Sequence, residues 1–223
     1  MLIKKKGFTL IEMALVIMVI GIIVSAVTSI VPEFIQSGKI KKTQAIVDKN
    51  IYAIEGYLAA NGRCPCPDTD GDGLEDWNEN TPGDATDDTC GAGDIYEGGL
   101  PYRTIGLSSG QDSWGSALRY AVYDNSTKTS SSNLCERLGR YVERAYYVAD
   151  DTFLHTSPGG IDLNQAYAVV SAGPDKDFDG RNSILDMEYE IPGKMGDPDY
   201  DDILSVCSFV ILHGKHCSGN LHD

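Results

Sequence analysis

A long apolar run near the N-terminus constrains this chain more than any other feature. The run extends from Phe8 to Val31 and follows three lysines at residues 4–6. As a helix rising 1.5 Å per residue it would be roughly 36 Å long, enough to cross a bilayer core of about 30 Å. Glu12 is unusual in such a segment, because a charged side chain in hydrocarbon costs on the order of 2.5 kcal/mol or more. We therefore expect Glu12 to have a function and a cationic partner.

The residues around Glu12 form a motif with a known counterpart. K-G-F-T-L-I-E at residues 6–12 closely resembles the N-terminus of the type IV pilin and type II secretion pseudopilin superfamily. In that family prepilin peptidase cleaves after the glycine and methylates the new N-terminus, and the glutamate pairs with the terminal amine of a neighbouring subunit. The resemblance implies processing between Gly7 and Phe8 and an assembly role for Glu12. It also implies a bacterial inner-membrane protein with a periplasmic C-terminal head, which then joins a periplasmic or surface filament of pilin-like subunits.

Two other interpretations of the same segment stay open. A secretory signal peptide also has a basic start and an apolar centre, and Val24-Ser25-Ala26 could serve as its cleavage site. That apolar region would be longer than usual and would contain Glu12. An ordinary signal anchor explains the length but leaves Gly7 and Glu12 without a role. Lysines at 39–42 flank the far side about as heavily as those at 4–6, so the charge rule does not fix the orientation.

Net charge and length limit the classes of protein to which the chain can belong. The chain has 223 residues, a formal net charge of −15 and clustered aspartates. Nucleic acid is not expected as a partner, because binding phosphates requires a basic surface. After the apolar run, enough chain remains for one globular domain.

The cysteines fit a disulfide-forming compartment such as the periplasm. The candidates for disulfides are all six: Cys64, Cys66, Cys90, Cys135, Cys207 and Cys217. The first two are too close in sequence to bridge each other, so each needs a partner elsewhere, for which Cys90 and Cys135 are available. The last two would close a short C-terminal loop. Six cysteines allow many pairings, and the connectivity stays open at this point.

Hydrophobic periodicity predicts an α+β fold, and the resemblance at the N-terminus implies that this fold is pilin-like. Val47, Ile51, Ile54 and Leu58 recur at helical spacing, so the N-terminal helix should continue as an amphipathic helix that ends at Asn61-Gly62. Segments predicted as strands are 118–123, 166–172 and 203–212, and 134–148 predicts a short helix followed by a strand. We expect a long N-terminal helix, transmembrane in its first half, packed on a small antiparallel sheet. The expected organisation is a leader (1–7), a membrane and assembly helix (8–31), its amphipathic second half (32–62) and a periplasmic head (63–223) with an acidic, Cys-containing insertion (63–99).

Segments of the expected head resemble the major pseudopilins of type II secretion. Asp112-Ser113-Trp114-Gly115, followed by Tyr120, is similar to their D-P-W-G-N-P-Y-x-Y segment. Residues 167–175 and 201–203 are similar to their Y-x-x-x-S-x-G-x-D and D-D-I segments. The insertion at 63–99, the cysteines and the serine in place of proline depart from that pattern and favour a variant or minor subunit.

Residues 68–79 fit D-x-D-x-D-G-x5-E, the calcium loop of an EF-hand, in full. Alternate carboxylates can point inward, and Gly73 permits the sharp turn. The prolines in Cys64-Pro65-Cys66-Pro67 exclude an entering helix, and Glu75 stands where an EF-hand prefers an apolar residue. We therefore expect a calcium loop outside an EF-hand pair, the alternative being a solvated acidic turn. The expected ligands are Asp68, Asp70, Asp72, the carbonyl of Leu74, Asp76 and Glu79.

Residues 175–180 repeat the acidic pattern. In the pseudopilins the loop before the last strand holds a calcium ion, and the D-D-I aspartates help to close it. The resemblance implies a second calcium loop here, closed in one of two ways. Its expected ligands are Asp175, Asp177 and Asp179 with either Asp186 or one of Asp201 and Asp202. One or two calcium ions would then order the head.

The sequence shows no nucleophile arrangement or phosphate-binding glycine loop, so we do not expect an enzyme. A zinc site could be drawn from His213, His216 and Cys217, but a fourth ligand is missing. The sequence therefore predicts a structural subunit of a type II secretion or type IV pilus filament, stabilised by calcium. Two alternatives are a calcium-binding module released by signal peptidase and a filament-tip adhesin in which residues 63–99 contact a ligand.

Overall fold

The computed structural model describes residues 7, 9–78, 89–91, 96–123, 134–147, 154–157, 163–183, 188–190 and 200–217. The chain divides into two compact units, Met1–Lys39 and Ile40–Asp223. Helix α1, Leu10–Asn61, contributes to both units and continues through Pro32. Each unit is considered by itself below.

The described part of the first unit is helical, and its apolar side chains are exposed. Leu10 is 89 % exposed and Ile17 is 67 % exposed, and the apolar residues between them are also at the surface. A helix that is apolar on all sides needs an apolar environment to be stable. Among the described residues, no helix meets the combined length and hydropathy required of a membrane span.

In the second unit α1 has one buried face. Val47, Ile54 and Leu58 are buried as predicted, whereas Ile51 of the predicted face is half-buried. Thr43 and Asn50, which were not predicted, are also buried. Beyond Asn61 the next residue, a glycine, has φ +69° and donates its N–H to the carbonyl of Leu58 at 2.8 Å. The left-handed conformation suits glycine and satisfies one of the last helical carbonyls, so the predicted C-terminal cap is confirmed.

The second unit contains a six-stranded sheet and a separate two-stranded ribbon. The ribbon consists of β1 (Trp77–Asn78) and β2 (Thr89–Cys90), paired antiparallel. The sheet consists of β3 (Glu97–Gly99), β4 (Arg119–Val122), β5 (Leu154–Ser157), β6 (Leu163–Ser171), β7 (Glu188–Glu190) and β8 (Ile203–Ser208). The strand β6 pairs antiparallel with β4, β5 and β8, β3 pairs antiparallel with β4, and β7 pairs parallel with β5. The predicted α+β fold, with a long N-terminal helix and small antiparallel sheets, is confirmed.

In the part of the chain that the structure describes, two further helices pack into the core. They are α2 (Leu134–Tyr147) and α3 (Phe209–Cys217). Tyr123, Tyr141 and Phe209 pack ring against ring, with centroids 5.3–5.5 Å apart. The same core includes the buried face of α1, strands β4 and β6, and the apolar side of α3.

The elements differ from the sequence prediction in two places. The predicted strand 203–212 ends at Ser208 and continues as α3, because Phe209, Leu212 and Cys217 lie on one helical face and are buried. Residues 134–147 form a single helix, α2, whose hydrophobic residues recur at helical spacing. Residue 148 lies outside the described part of the chain.

Disulfides join Cys66 to Cys90 and Cys135 to Cys217. The expected pairing of Cys207 with Cys217 is wrong, because α3 packs against α2 and brings its last residue to Cys135. Cys207 instead lies buried on β8 with its thiol 4.0 Å from the Glu55 carboxylate.

Two cysteines remain thiols. Cys64 and Cys207 are both free and buried, so their expected participation in disulfides is also wrong. Burial raises the pKa of the Cys64 thiol to about 12 and also raises the pKa of Cys207. At neutral pH both side chains are therefore neutral members of the core.

Candidate functional site

The start of α1 is closed by a reciprocal pair of hydrogen bonds between Thr9 and Glu12. The Thr9 N–H and hydroxyl both donate to Glu12 Oε2 at 2.9 Å, and the Glu12 N–H donates to the Thr9 hydroxyl at 3.3 Å. This is a capping box, in which a threonine at the N-cap and a glutamate three residues later satisfy free helical amides. Glu12 therefore has a local structural role that our sequence reasoning missed, although the T-x-x-E spacing carries the signal.

The two predicted processing residues, Gly7 and Phe8, come just before this cap in the sequence. Gly7 is described and exposed, and Phe8 lies outside the described residues. Glu12 is exposed in the first turn of α1, where a carboxylate also suits the positive end of the helix dipole.

The first acidic loop brings three of its predicted ligands together. Asp68, Asp70 and Asp76 each offer a carboxylate oxygen, and these oxygens lie within 4.8 Å of one another. Among the described residues of this loop, Asp72 is outside that group, and its Oδ1 accepts from the Leu74 N–H at 2.7 Å. Glu79, the predicted closing ligand, lies outside the described residues.

Backbone amides hold the carboxylate of Asp68 within this loop. Its two oxygens accept from the N–H groups of Gly71 at 2.7 Å and Gly73 at 2.8 Å. Asp76 Oδ2 accepts from both the N–H and the hydroxyl of Thr69. The loop is therefore folded around its own carboxylates.

Gly73 is required by both conformation and space. Its φ is +82°, and an added Cβ would lie 2.6 Å from Cζ of Tyr102. The Arg103 N–H donates to the Gly73 carbonyl, and the Arg103 guanidinium donates to the Asp72 carbonyl at 2.9 Å. These contacts fix the acidic loop against the turn that follows β3.

Glu75 points away from the carboxylate cluster and anchors the loop to the end of α1. It forms a bidentate ion pair with Arg63, at 2.7 and 3.0 Å, and accepts from the Cys66 N–H and the Tyr57 hydroxyl. The Arg63 guanidinium also lies over the Trp77 ring, 4.4 Å from its centroid. This pairing explains why an acidic residue occupies the position at which an EF-hand prefers an apolar one.

Covalent and backbone links close the ends of the first loop. The Cys66–Cys90 disulfide ties the start of the loop to β2, which pairs with β1 at the end of the loop. Asp68 and Gly99 exchange backbone hydrogen bonds at 2.7 and 3.0 Å, which joins the loop to β3.

The second acidic loop draws its carboxylates from two distant segments. Oxygens of Asp175, Asp179 and Asp201 lie within 4.8 Å of one another. Asp179 Oδ2 accepts from the Asp201 N–H, and Asp202 Oδ2 accepts from the Asp179 N–H, both at 2.9 Å. Asp177 is exposed and outside this group of described residues, and Asp186 lies outside the described part of the chain.

Two carboxylate oxygens of the second loop are buried without a partner. Among the described residues, Oδ1 of Asp201 and Oδ1 of Asp202 accept no hydrogen bond. Burial, then the charges of Asp175 and Asp179, raises the pKa of Asp201 to about 6. Burial likewise raises the pKa of Asp202 to about 6, although it accepts from Asn182. In the absence of a cation this loop therefore disfavours its own charge.

Two of the three segments that resemble the pseudopilin head are joined by a buried side-chain hydrogen bond. The Ser171 hydroxyl donates to Asp112 Oδ2 at 2.7 Å, and Asp112 Oδ1 accepts from the N–H groups of Trp114 and Ser116. Asp112 thus shapes its own turn and holds the end of β6, from which the second acidic loop departs. The sequence showed both segments but not the contact between them.

Both acidic loops fit a hard, oxygen-binding cation. The side chains clustered in each loop are carboxylates, and among the described residues the second loop also has buried oxygens that lack partners. Among the described residues His213 and His216 do not form a comparable site, because Cys217 is in a disulfide and cannot join them around zinc.

Comparison with known proteins identifies the N-terminus. The family model described as the prokaryotic N-terminal methylation motif matches residues 2–28. Neither the comparison with curated proteins nor the comparison with solved structures returned a match.

Proposed function

Residues 2–28 carry the prepilin-type signature of type IV pilins and pseudopilins, and from that premise we propose that this chain is a structural subunit of a type II secretion pseudopilus or a type IV pilus. The observation that carries the proposal is the methylation motif with Glu12 in the first turn of an exposed apolar helix. Such subunits are typically not enzymes, and we propose no catalytic role.

The exposed apolar surface of α1 supports a passage from lipid to a filament. In the inner membrane the segment 8–31 would be covered by lipid, and in the filament by the same segment of neighbouring subunits. Either setting removes from water the side chains that are exposed in the single chain.

Processing would occur between Gly7 and Phe8, carried out by prepilin peptidase with methylation of the new amine. That amine would pair with Glu12 of a neighbour, which replaces a lone carboxylate in an apolar setting by a neutralised pair. Mass spectrometry of the mature N-terminus tests this step. A methylated Phe8 supports assembly, whereas a start at Val27 would indicate a secreted module.

We further propose that calcium stabilises the head. Asp68, Asp70 and Asp76 would hold one ion, and Asp175, Asp179 and Asp201 a second. The ion would supply positive charge to carboxylates that otherwise repel one another. The buried unpartnered oxygens of Asp201 and Asp202 are the features that best support the second site.

The experiment that tests assembly is substitution of Glu12. Glu12→Ala should abolish filaments, measured by electron microscopy and by immunoblotting of sheared filaments. Because Glu12 also caps its own helix, Thr9→Val serves as a matched variant that removes the threonine hydroxyl of the cap, at about 1 kcal/mol, but keeps the carboxylate.

Thr9→Val should still assemble, and so should Glu33→Ala, which changes another exposed glutamate of α1. Wild-type assembly by Glu12→Ala would refute the proposal. Loss of assembly in Thr9→Val as well would show that capping, not pairing, explains the effect of Glu12.

A further inference from the structure

A cleft lined by polar and apolar residues lies beside the first acidic loop, and the proposed function gives it no role. Its volume is about 430 Å³, within the range of roughly 300–1,000 Å³ that small-molecule sites occupy. It lies between the acidic loop, the turn after β3 and residues 108–111. All of its lining residues belong to the second unit.

The walls of the cleft are held by backbone pairing. The Leu100 N–H donates to the Leu118 carbonyl at 3.1 Å, and the Leu118 N–H donates to the Gly110 carbonyl at 2.8 Å. Gln111 forms a backbone bridge with Ala117. A cleft built in this way is largely formed before a ligand arrives, which reduces the entropic cost of binding.

Tyr102 is fixed in the cleft by two glycines. An added Cβ would lie 2.6 Å from Cζ of this ring at Gly73 and 2.8 Å from Cδ1 at Gly110, so the ring packs directly on both backbones. Tyr102 therefore lines the cleft in a set orientation, together with Ser108, Ser109 and Gln111.

The chemistry of the lining selects a neutral ligand rich in hydroxyl groups. The described residues that line the cleft include no Lys, Arg or His, so a phosphate or carboxylate finds no cation there. The Asp68 carboxylate accepts from two glycine amides, which hold it in the wall of the cleft. Hydroxyl and amide groups both donate and accept, and the aromatic ring suits the apolar face of a pyranose.

We propose that this cleft binds a neutral saccharide, of one or two sugar units. Asp68 lines the cleft and also belongs to the first carboxylate cluster. An ion in that loop would therefore stiffen one wall of the cleft, and this dependence alone rests on the calcium proposed above. Saccharide binding itself does not require filament assembly.

The test uses the full chain in detergent micelles with excess calcium. The probes are methyl α-mannoside, methyl β-galactoside and N-acetylglucosamine, with glucose 6-phosphate as the charged comparison. Binding is measured by saturation-transfer NMR and by calorimetry. At least one neutral sugar should bind, and glucose 6-phosphate should bind at least tenfold more weakly than the best of them.

Two variants locate the binding. Ser108→Trp fills the cleft from an exposed position and should abolish binding, and Gln111→Ala should weaken it at least fivefold. Gln44→Ala is the matched control, because it removes another exposed glutamine outside the cleft and should bind as the wild type does. Circular dichroism checks that each variant is folded.

Failure of all three sugars to bind, or equal binding by Ser108→Trp, would overturn the proposal. Preference for the phosphorylated sugar would overturn its neutral character. Unchanged affinity in excess chelator would overturn the link to calcium. Glu12→Ala should bind sugar normally, so failure of the cleft and failure of the assembly proposal give different results.

Discussion

The two acidic loops have similar sequences but are stabilised differently. In the first loop, 68–76, the carboxylate of Asp68 is satisfied by backbone amides, and a disulfide and the Arg63–Glu75 ion pair fix the surroundings. In the second, the carboxylates come from 175–179 and 201–202, and two buried oxygens accept nothing among the described residues.

This difference separates a loop whose carboxylate is satisfied by backbone amides from a loop that we propose to depend on an ion. Absence of a cation destabilises the fold little where the carboxylate accepts hydrogen bonds from amides. A buried carboxylate without a partner, in contrast, destabilises the fold by its full desolvation free energy. Similar D-x-D-x-D patterns therefore predict similar ligands but not a similar dependence on calcium. The predictions below test that distinction in order of expected effect.

The largest effect should come from Glu75→Leu. The change gives the first loop the apolar residue that an EF-hand prefers, but it leaves the Arg63 guanidinium partly buried without its carboxylate. Breaking one side of a buried ion pair costs about 3–5 kcal/mol, so urea unfolding should show a loss of that order with or without calcium.

Glu136→Leu is the control for this variant. Its ion pair with Arg140 is exposed and 3.9 Å long, so its loss should cost less than about 1 kcal/mol. An unchanged or increased stability of Glu75→Leu would show that the first loop does not depend on this anchor.

Removal of calcium should have the next largest effect, and it should be unequal between the loops. An ion present at 100 times its Kd contributes about 2.7 kcal/mol, which a chelator removes. Amide hydrogen exchange should accelerate at 175–179 and 200–202, where carboxylates then repel one another. Exchange at Gly71 and Gly73 should change less, because their N–H groups remain bonded to Asp68.

Equal acceleration in both loops would contradict the distinction, and so would greater acceleration in the first. Unchanged exchange throughout the head would refute a structural role for calcium in either loop.

The smallest effect, but the most local, should come from Asp202→Asn. The amide keeps an acceptor for the Asp179 N–H and removes a buried charge whose Oδ1 has no partner. Without calcium, thermal unfolding should show a gain of about 1 kcal/mol. With calcium, the stabilisation by the ion should be smaller than in the wild type.

Asp72→Asn is the matched control in the first loop. Its carboxylate is exposed and bonded to the Leu74 N–H, so calcium-free stability should change by no more than about 0.5 kcal/mol. If Asp72→Asn stabilised the calcium-free protein more than Asp202→Asn does, the proposed difference between the two loops would be contradicted.

Features that depend on neighbouring residues could be predicted from the sequence. The end of α1 at Asn61, the buried face through Val47 and Ile54, and the grouping of Asp68, Asp70 and Asp76 all follow from spacing along one segment. The Thr9–Glu12 cap was equally local and could have been found from its spacing.

Features that depend on packing between distant segments could not be predicted. The Cys135–Cys217 disulfide spans 82 residues and requires α2 to lie against α3. The same holds for the Ser171–Asp112 hydrogen bond, which joins segments 59 residues apart. No periodicity or motif encodes these contacts, because each depends on how segments far apart in the sequence pack in the folded chain.

Burial of the two thiols links folding of the core to which cysteines form disulfides. Thiol–disulfide exchange requires an accessible, ionised sulfur, and the native core denies both conditions to Cys64 and Cys207. In a chain with a non-native disulfide at Cys64 or Cys207, that sulfur cannot take its place in the core. The core then cannot close, and the non-native disulfide remains accessible to reductants. Burial of the two unreacted cysteines therefore favours the pairing of Cys66 with Cys90 and of Cys135 with Cys217, because that pairing leaves both remaining thiols inside the closed core.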